Sequence, residues 1–186
     1  MSHSGAEAAI CVNKIDLASD RDDALAPLRV YEELQIPVIA CSTRTGEGID
    51  ALRALLTGKT SALVGHSGVG KSSILNALDV RLRLTTASVH EKHGTGRHTT
   101  TASTLIDLGD ETYVIDTPGI REFGLWDITP QALREAFPEF EEAAEWCRFN
   151  DCAHTHEPDC EVKKRVERGE INPARYEAYT RLAQEI

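Results

Sequence analysis

The sequence predicts an α/β fold in which a mostly parallel sheet carries helices on both faces, followed by a small helical unit that holds a metal ion. Short apolar runs alternate with helical patterns through about the first two thirds of the chain, which is typical of parallel sheets. A glycine-rich loop at 65–72 joins one such run to a helix, and a cysteine–histidine cluster lies within 147–160. We therefore expect two domains, at residues 1–128 and 129–186.

Apolar runs bounded by turn residues predict five strands, and helical spacing predicts three helices between them. The last two runs are joined by the turn 109–111, which indicates a hairpin. The segment 88–101 is rich in Thr, His and Gly and is predicted to be a mobile loop. The predicted strands are 8–12, 38–41, 61–64, 104–108 and 112–115, and the predicted helices are 20–34, 49–56 and 71–78.

Composition narrows the classes of protein to consider. With 186 residues, of which 41% are hydrophobic, the chain is expected to be globular. It has no run of about 20 apolar residues, and residues 1–9 lack the pattern of a secretory signal, so we expect a cytoplasmic protein without membrane contact. The net charge of −10 argues against DNA binding. Any contact with RNA would have to use one local basic face of the protein.

The five cysteines fall into two kinds. Cys11 and Cys41 stand singly in apolar runs, which predicts small buried side chains. The other three form the pattern C-x4-C-x-H-x5-C with a histidine, which in a cytoplasmic protein indicates a metal rather than disulfides. Three thiolates and one imidazole form the closed shell of a structural zinc site, for which a second histidine, His156, competes. The predicted zinc ligands are Cys147, Cys152, His154 and Cys160.

The glycine-rich loop 65–72 is predicted to bind phosphate, because a strand precedes it and a helix follows it. Glycines let backbone N–H groups point at phosphate oxygens, and the helix N-terminus adds positive potential. Lys71 would reach the outer phosphates and so contribute to catalysis, while the Ser72 hydroxyl would ligate Mg²⁺. The residues expected at the nucleotide are Gly65, Ser67, Gly68, Val69, Gly70, Lys71, Ser72 and Ser73.

A second phosphate-sensing segment begins at Asp116, directly after a predicted strand. Asp116 would act on Mg²⁺ through water, and the N–H of Gly119 would contact the terminal phosphate. Alone, the tetrapeptide 116–119 is compatible with an ordinary turn, but its place after a phosphate loop favours the nucleotide site.

An Asn-Lys-x-Asp motif formed by Asn13, Lys14 and Asp16 selects the base. The Asp16 carboxylate can accept two hydrogen bonds from the ring N–H and the exocyclic amine of guanine, and adenine offers no such pair. Ser42 and Thr43 begin the loop expected behind the base, with Thr43 standing where alanine is usual. GTP-binding proteins usually place the phosphate loop first, so this inverted order predicts a circularly permuted P-loop GTPase domain that binds GTP and GDP.

The group that orients the attacking water is predicted to differ from that of Ras-type proteins. Ile120 and Arg121 stand where those proteins place a glutamine. His98 lies where a first switch should lie and would position the water, unless a partner supplies that group and His98 is a solvated loop residue. Either Thr100 or Thr101 would bind Mg²⁺ when the γ-phosphate is present.

The chain resembles the ribosome small-subunit-dependent GTPase A family, also called RsgA or YjeQ. Besides the motifs above, the resemblance rests on segments 96–101, 116–125, 149–152 and 157–160 and on the basic helix that follows. It implies a factor, expected to be monomeric, that docks on the 30S ribosomal subunit and its rRNA late in maturation, hydrolyses GTP and leaves. Family members also carry an N-terminal OB-fold domain, and a strand and helix ahead of the Asn-Lys-x-Asp strand. We therefore expect this chain to be a truncated form, the product of a mis-started gene or a genuinely reduced paralogue.

Three functions are compatible with these patterns. The first is a GTPase in 30S maturation whose hydrolysis the ribosome stimulates. The second is a reduced nucleotide-gated module that binds RNA or protein, with negligible turnover and no docking on 30S, and the third is a reduced paralogue in metal or stress handling. Four basic residues are candidate RNA contacts, although a solvated helix face explains them equally well: Lys163, Lys164, Arg165 and Arg168.

Overall fold

The computed structural model describes residues 5–79, 81–82, 104–116 and 128–186. The chain divides into two compact units, here called the N-terminal unit, within Ala9–Phe123, and the C-terminal unit, within Met1–Ala8 and Gly124–Ile186. No helix of the described ranges is long and apolar enough to cross a membrane.

In the N-terminal unit, strands alternate with short helices. The strands are β1 (Ile10–Val12), β2 (Val38–Ala40), β3 (Thr60–Leu63), β4 (Thr104–Gly109) and β5 (Thr112–Asp116). The α-helices are α1 (Arg21–Leu25), α2 (Arg29–Glu33), α3 (Ile49–Leu56) and α4 (Lys71–Leu78), with 3₁₀ turns at Ile15–Leu17 and Ala26–Leu28. The C-terminal unit contains α5 (Pro130–Glu135), a 3₁₀ turn (Pro138–Phe140), α6 (Glu141–Ala144), α7 (Glu161–Glu167) and α8 (Pro173–Ala183).

Strand pairing agrees with the predicted, mostly parallel arrangement. β1 pairs with β2 and β3 pairs with β5 in parallel, while β4 and β5 form the antiparallel hairpin expected from their turn. Among the described residues these strands form two sheets, of two and three strands. Leu63 lies opposite Asp116 in the parallel pair, so the start of the phosphate loop and the end of β5 lie at the same sheet edge, where α/β proteins bind ligands.

The helix predicted over 20–34 is interrupted in the structure. α1 begins after Asp20, whose carboxylate accepts hydrogen bonds from the N–H groups of Asp22 and Asp23 at 2.9 and 3.2 Å. A 3₁₀ turn that contains Pro27 follows α1 and precedes α2. A proline inside a helix donates no hydrogen bond, and its ring clashes with the carbonyl group four residues earlier, which explains the interruption.

The core of the N-terminal unit joins α3 and α4 to the sheet. α3 buries Ile49, Leu52 and Leu56, which are spaced along one helix face. Ile74 and Leu78 of α4 are buried in the same cluster. This packing holds α4, and therefore the phosphate loop that precedes it, against the sheet.

The core of the C-terminal unit is largely aromatic. Phe137 stacks on Phe140 with ring centroids 5.3 Å apart, and Tyr179 meets Phe140 edge-on at 5.0 Å. Cys152 and Cys160 are buried in the same cluster. Because two predicted metal ligands belong to the core, metal binding and folding would be coupled in this unit.

Candidate nucleotide-binding site and metal centre

Two side chains of the Asn-Lys-x-Asp motif connect it to the phosphate loop. The Asn13 amide Nδ2 donates to the Val69 carbonyl oxygen at 3.0 Å, across 56 positions of sequence. Lys14 Nζ donates to the Gly68 carbonyl oxygen at 2.8 Å. The Oδ1 of Asn13 accepts from the N–H groups of Lys14 and Thr43, at 2.8 and 3.4 Å. The structure thus brings together the predicted guanine-reading and phosphate-binding segments.

A glycine is required at the junction between the loop and α4. Gly70 has a φ of +98°, in the left-handed region, and a Cβ there would lie 2.3 Å from Asn13 Nδ2. A side chain at Gly70 would displace the Asn13 amide from the Val69 carbonyl group. The missing side chain is therefore what allows the two motifs to approach each other.

Lys71, Ser72 and Ser73 form the first turn of α4. The ammonium group of Lys71 donates to the carbonyl oxygens of Gly65 and His66, at 2.5 and 3.0 Å. It therefore lies against the loop that is predicted to hold the phosphates. The loop residues before it are exposed, namely Ser67, Gly68 and Val69.

The Asp16 carboxylate is held from two sides. Its Oδ1 accepts from the Ser42 hydroxyl at 2.5 Å, and its Oδ2 pairs with the Arg44 guanidinium at 2.8 Å. The Ser42 hydrogen bond, assisted by the Arg44 charge, lowers the pKa of the Asp16 carboxyl below its ordinary value, which favours the ionised form that guanine requires. No role for Arg44 could be predicted from the sequence, where its only signal is a basic residue directly after the Ser-Thr pair.

Ser42 organises the loop that is predicted to lie behind the base. It is fully buried, and its hydroxyl oxygen accepts from the N–H groups of Arg44 and Thr45 at 3.3 and 3.2 Å. Gly48 ends this loop with a φ of +71°, and a Cβ there would lie 2.1 Å from the Ala40 carbonyl oxygen. The loop therefore has a fixed conformation that aims Ser42 at the carboxylate.

The predicted magnesium and catalytic residues are described only in part. Asp116 ends β5, and its backbone position opposite Leu63 places it at the edge of the sheet from which the phosphate loop leaves. Four residues with predicted roles lie outside the described ranges, namely His98, Thr100, Thr101 and Gly119. Their roles stay predictions.

The predicted metal ligands come together in the C-terminal unit. The ligand atoms all lie within 4.8 Å of one another, and the residues are Cys147, Cys152, His154 and Cys160. His154 Nδ1 lies 3.6 Å from Cys147 Sγ and 3.5 Å from Cys160 Sγ. In a tetrahedral zinc site with bonds of about 2.0–2.3 Å, ligand atoms are about 3.4–3.8 Å apart. The donor set and the two distances from His154 therefore fit zinc, and the competing His156 is not part of the described group.

Three side chains hold the backbone around His154. The Tyr176 hydroxyl donates to the His154 carbonyl oxygen at 2.8 Å, and the Tyr179 hydroxyl donates to that of Ala153 at 2.7 Å. The Glu157 carboxylate accepts from the Ala153 N–H at 2.7 Å. Burial lowers the pKa of the His154 imidazole, which favours the neutral form that binds metals.

The sequence profile of the RsgA GTPase family matches residues 1–126. The chain belongs to the RsgA GTPase family. A relative in Gemmatimonas aurantiaca, named "Small ribosomal subunit biogenesis GTPase RsgA", is 44% identical over 182 residues. That alignment covers 98% of this RsgA-family chain and 59% of the relative.

Two solved structures share the fold of this RsgA-family chain. YjeQ from Thermotoga maritima matches with a TM-score of 0.75 and 39% identity, over 95% of this chain and 58% of that one. YloQ, titled a circularly permuted GTPase, matches with a TM-score of 0.72 and 31% identity, over 96% of this chain and 56% of that one. The predicted α/β, circularly permuted GTPase fold is confirmed. The chain spans a little more than half the length of these relatives.

Proposed function

We propose that this chain binds GTP and GDP and hydrolyses GTP during late maturation of the small (30S) ribosomal subunit. The observation that carries the proposal is the pair of hydrogen bonds that Asn13 and Lys14 donate to the phosphate loop. These bonds connect the motif that carries the base-reading Asp16 carboxylate to the phosphate-binding loop. This combination suits a guanine nucleotide. The name of the Gemmatimonas aurantiaca relative supports the ribosomal part of the proposal.

Guanine selection would rest on Asp16. One ionised carboxylate can accept both donors of the Watson–Crick edge of guanine. The Ser42 hydroxyl fixes the rotation of this carboxylate, and Arg44 covers it. The Arg44 side chain is 72% exposed, so solvent screens its ion pair with Asp16 and the pair is weak. The pair can therefore open as the base enters.

The phosphates would be held by Lys71 and by N–H groups of the loop. Lys71 carries its charge on a flexible four-carbon stem, so its ammonium group can turn from the loop carbonyls to phosphate oxygens. Ser72 and Asp116 fit a magnesium site, because Ser72 lies in the first turn of α4 and Asp116 ends β5, the strand beside β3. When bound, Mg²⁺ supplies charge that neutralises the phosphate oxygens.

We assign the remaining catalytic roles to the first switch. His98 would orient the attacking water, and Thr100 or Thr101 would be a further magnesium ligand. Support for these roles comes from the motif in the sequence, since Ile120 and Arg121 stand where Ras-type proteins place a glutamine.

The C-terminal unit would hold one structural Zn²⁺. Its three thiols and one imidazole leave no ligand position for a substrate, which is typical of structural sites. Cys160 directly precedes α7, and Cys152 and Cys160 are buried in the aromatic core. The metal would therefore fix α7 on that core.

The basic residues of α7, and Arg168 directly after it, are mostly paired within the unit. Arg165 pairs with Glu142 at 3.1 Å, and Arg168 pairs with Glu161 at 2.8 Å. Phosphate contacts would require these ion pairs to open, which argues against rRNA contact for both arginines, and the Arg165 side chain is only 18% exposed. The proposed docking of this cytoplasmic, monomeric factor on 30S and its rRNA does not depend on them.

The test is phosphate release from GTP by the zinc-loaded chain with and without purified 30S subunits. We expect slow turnover alone, at about 10⁻⁴–10⁻³ s⁻¹, and about 10²–10⁴-fold stimulation by 30S. Lys71→Ala should remove turnover in both conditions. Intact GTP binding without stimulated turnover would favour a nucleotide-gated binding module, and equal affinity for ATP and GTP would refute the base-reading assignment.

A further inference from the structure

Two cysteines outside the metal cluster lie side by side in the N-terminal unit. Cys11 belongs to β1 and Cys41 directly follows β2, and their Sγ atoms are 3.4 Å apart. Cys41 is fully buried, as the sequence predicts, whereas Cys11 is half-buried and so nearer to solvent. Their sequence positions predict two separate small side chains, but the pairing of β1 with β2 makes them neighbours.

The strand register sets the separation of the two thiols. Cys11 lies opposite Ile39, and Cys41 follows two residues later on the same face. The Cys41 N–H donates to the Val12 carbonyl oxygen at 2.8 Å, which holds the two backbones together. A disulfide has an S–S distance of about 2.05 Å, so the sulfurs must approach by about 1.4 Å. Side-chain rotation together with a backbone shift would supply that movement.

Cys41 is also connected to the guanine-reading residues. Its Sγ lies 3.8 Å from the Asn13 Oδ1. Its carbonyl oxygen accepts from the N–H that begins the 3₁₀ turn carrying Asp16, at 3.1 Å. The next residue is Ser42, whose hydroxyl donates to the Asp16 carboxylate. Movement of Cys41 toward Cys11 would therefore disturb the groups that hold the Asn13 and Asp16 side chains in place.

We propose that Cys11 and Cys41 form a reversible thiol–disulfide site, and that its oxidation by a low-molecular-weight disulfide lowers the affinity for guanine nucleotide. The Cys11 thiolate attacks the reagent R–S–S–R, which gives a mixed disulfide and releases RS⁻. The Cys41 thiolate then attacks the Cys11 sulfur and releases the second RS⁻. Both cysteines are oxidised, the reagent is reduced, and the two cysteine protons end on the two released thiols. The effect on affinity rests on the proposed nucleotide binding, whereas disulfide formation does not.

Exchange at this site is slow at neutral pH. Burial raises the pKa of the Cys11 thiol to about 12, and only the thiolate attacks a disulfide. Oxidation must therefore be followed to equilibrium rather than after a brief exposure.

The experiment uses the full zinc-loaded chain, incubated to equilibrium with excess oxidised glutathione or with reduced glutathione. After alkylation under denaturing conditions and digestion with trypsin, we expect linked peptides 1–14 and 30–44 in the oxidised sample only. Isothermal titration of the undigested protein should show that oxidation weakens GDP binding about tenfold, the cost of misaligning one hydrogen bond to a charged group. Reduction should restore the affinity.

Cys11→Ser and Cys11→Ala are the matched controls, because they leave Cys41 beside Asn13. Both variants should bind GDP as the reduced parent does and should not respond to the oxidant. Absence of the linked peptides at equilibrium overturns the proposal. Linked peptides with unchanged GDP affinity overturn the proposed effect of oxidation on nucleotide binding. If the reduced parent does not bind GDP, the proposed function fails. The linked peptides still show whether Cys11 and Cys41 form a disulfide.

Discussion

Replacing Asp16 with asparagine tests the guanine-reading geometry directly. One carboxylate oxygen accepts from Ser42, and the other pairs with Arg44, whose place the base would take. In Asp16→Asn the amide oxygen is still an acceptor and can keep the Ser42 hydrogen bond. The amide nitrogen is a donor and would face the donors of guanine.

The size of the effect depends on the bonds that change. A hydrogen bond to a charged group favours binding by roughly 10- to 100-fold. In Asp16→Asn, one of the two hydrogen bonds from guanine is replaced by a donor–donor contact, and the other is made to a neutral amide oxygen instead of a charged carboxylate. GDP affinity should therefore fall by about 10²–10³-fold. The loss of the Arg44 pair adds little, because that side chain is 72% exposed. Xanthine carries a carbonyl oxygen in place of the guanine amine, so XDP should bind this variant better than GDP.

Isothermal titration of GDP and XDP on the parent and on Asp16→Asn measures the preference. Asp110→Asn is the matched control, because Asp110 is exposed in the β4–β5 turn at a φ of +49°, a conformation that asparagine adopts readily. Equal urea midpoints for the three proteins would show that the fold is retained. A folded Asp16→Asn variant that still prefers GDP to XDP would refute the assignment.

The remaining predictions concern a glycine turn, the ion pair at the base and the metal. Gly48→Ala should lower the free energy of unfolding, measured in urea, by about 2–4 kcal/mol, because its Cβ would meet the Ala40 carbonyl oxygen. Gly46→Ala, at a φ of +84° with no atom within 4 Å of the new Cβ, should cost only about 1 kcal/mol, and equal losses would contradict the clash. Arg44→Ala should speed the association of fluorescent GDP by up to about fivefold in stopped flow, since the base no longer displaces a guanidinium, and slower association would mean that Arg44 contacts the nucleotide. Elemental analysis should find one zinc ion per chain, and a chelator should lower the calorimetric melting temperature of the C-terminal unit; zinc-free protein with unchanged melting would rule out the site.

Patterns within short segments predicted much of the described structure. The helices at 49–56 and 71–78 have the predicted bounds, because apolar spacing and a preceding glycine specify them locally. The interruption of the predicted helix 20–34 could also have been predicted, because proline disrupts a helix interior. Predicting one helix through Pro27 relied too much on the apolar periodicity. The metal cluster, including His154, was predictable because its ligands lie close in sequence, and the structure shows in addition that the competing His156 is not part of the described group.

Contacts between distant segments were harder to predict. Cys11 touches Cys41 only because β1 and β2 pair in one particular register, and no pattern along either strand specifies that register. Arg44 covers Asp16 because a buried serine turns the loop back toward the carboxylate. Such contacts depend on tertiary packing, which a single sequence does not reveal.

At the proposed nucleotide site, chain order would matter little for binding, but it would determine which part of the protein follows the second switch. Asn13 and Lys14 reach the phosphate loop through side-chain hydrogen bonds, so a permuted chain can form the same site. Permutation does change the segment that comes after β5, because the chain continues from Asp116 into the C-terminal unit. A switch segment that responds to the γ-phosphate would then act on that unit through the chain itself. Hydrogen exchange of α7 and α8 should therefore differ between GDP and a non-hydrolysable GTP analogue, with Lys71→Ala showing no difference, and identical exchange in the parent protein would argue against this route.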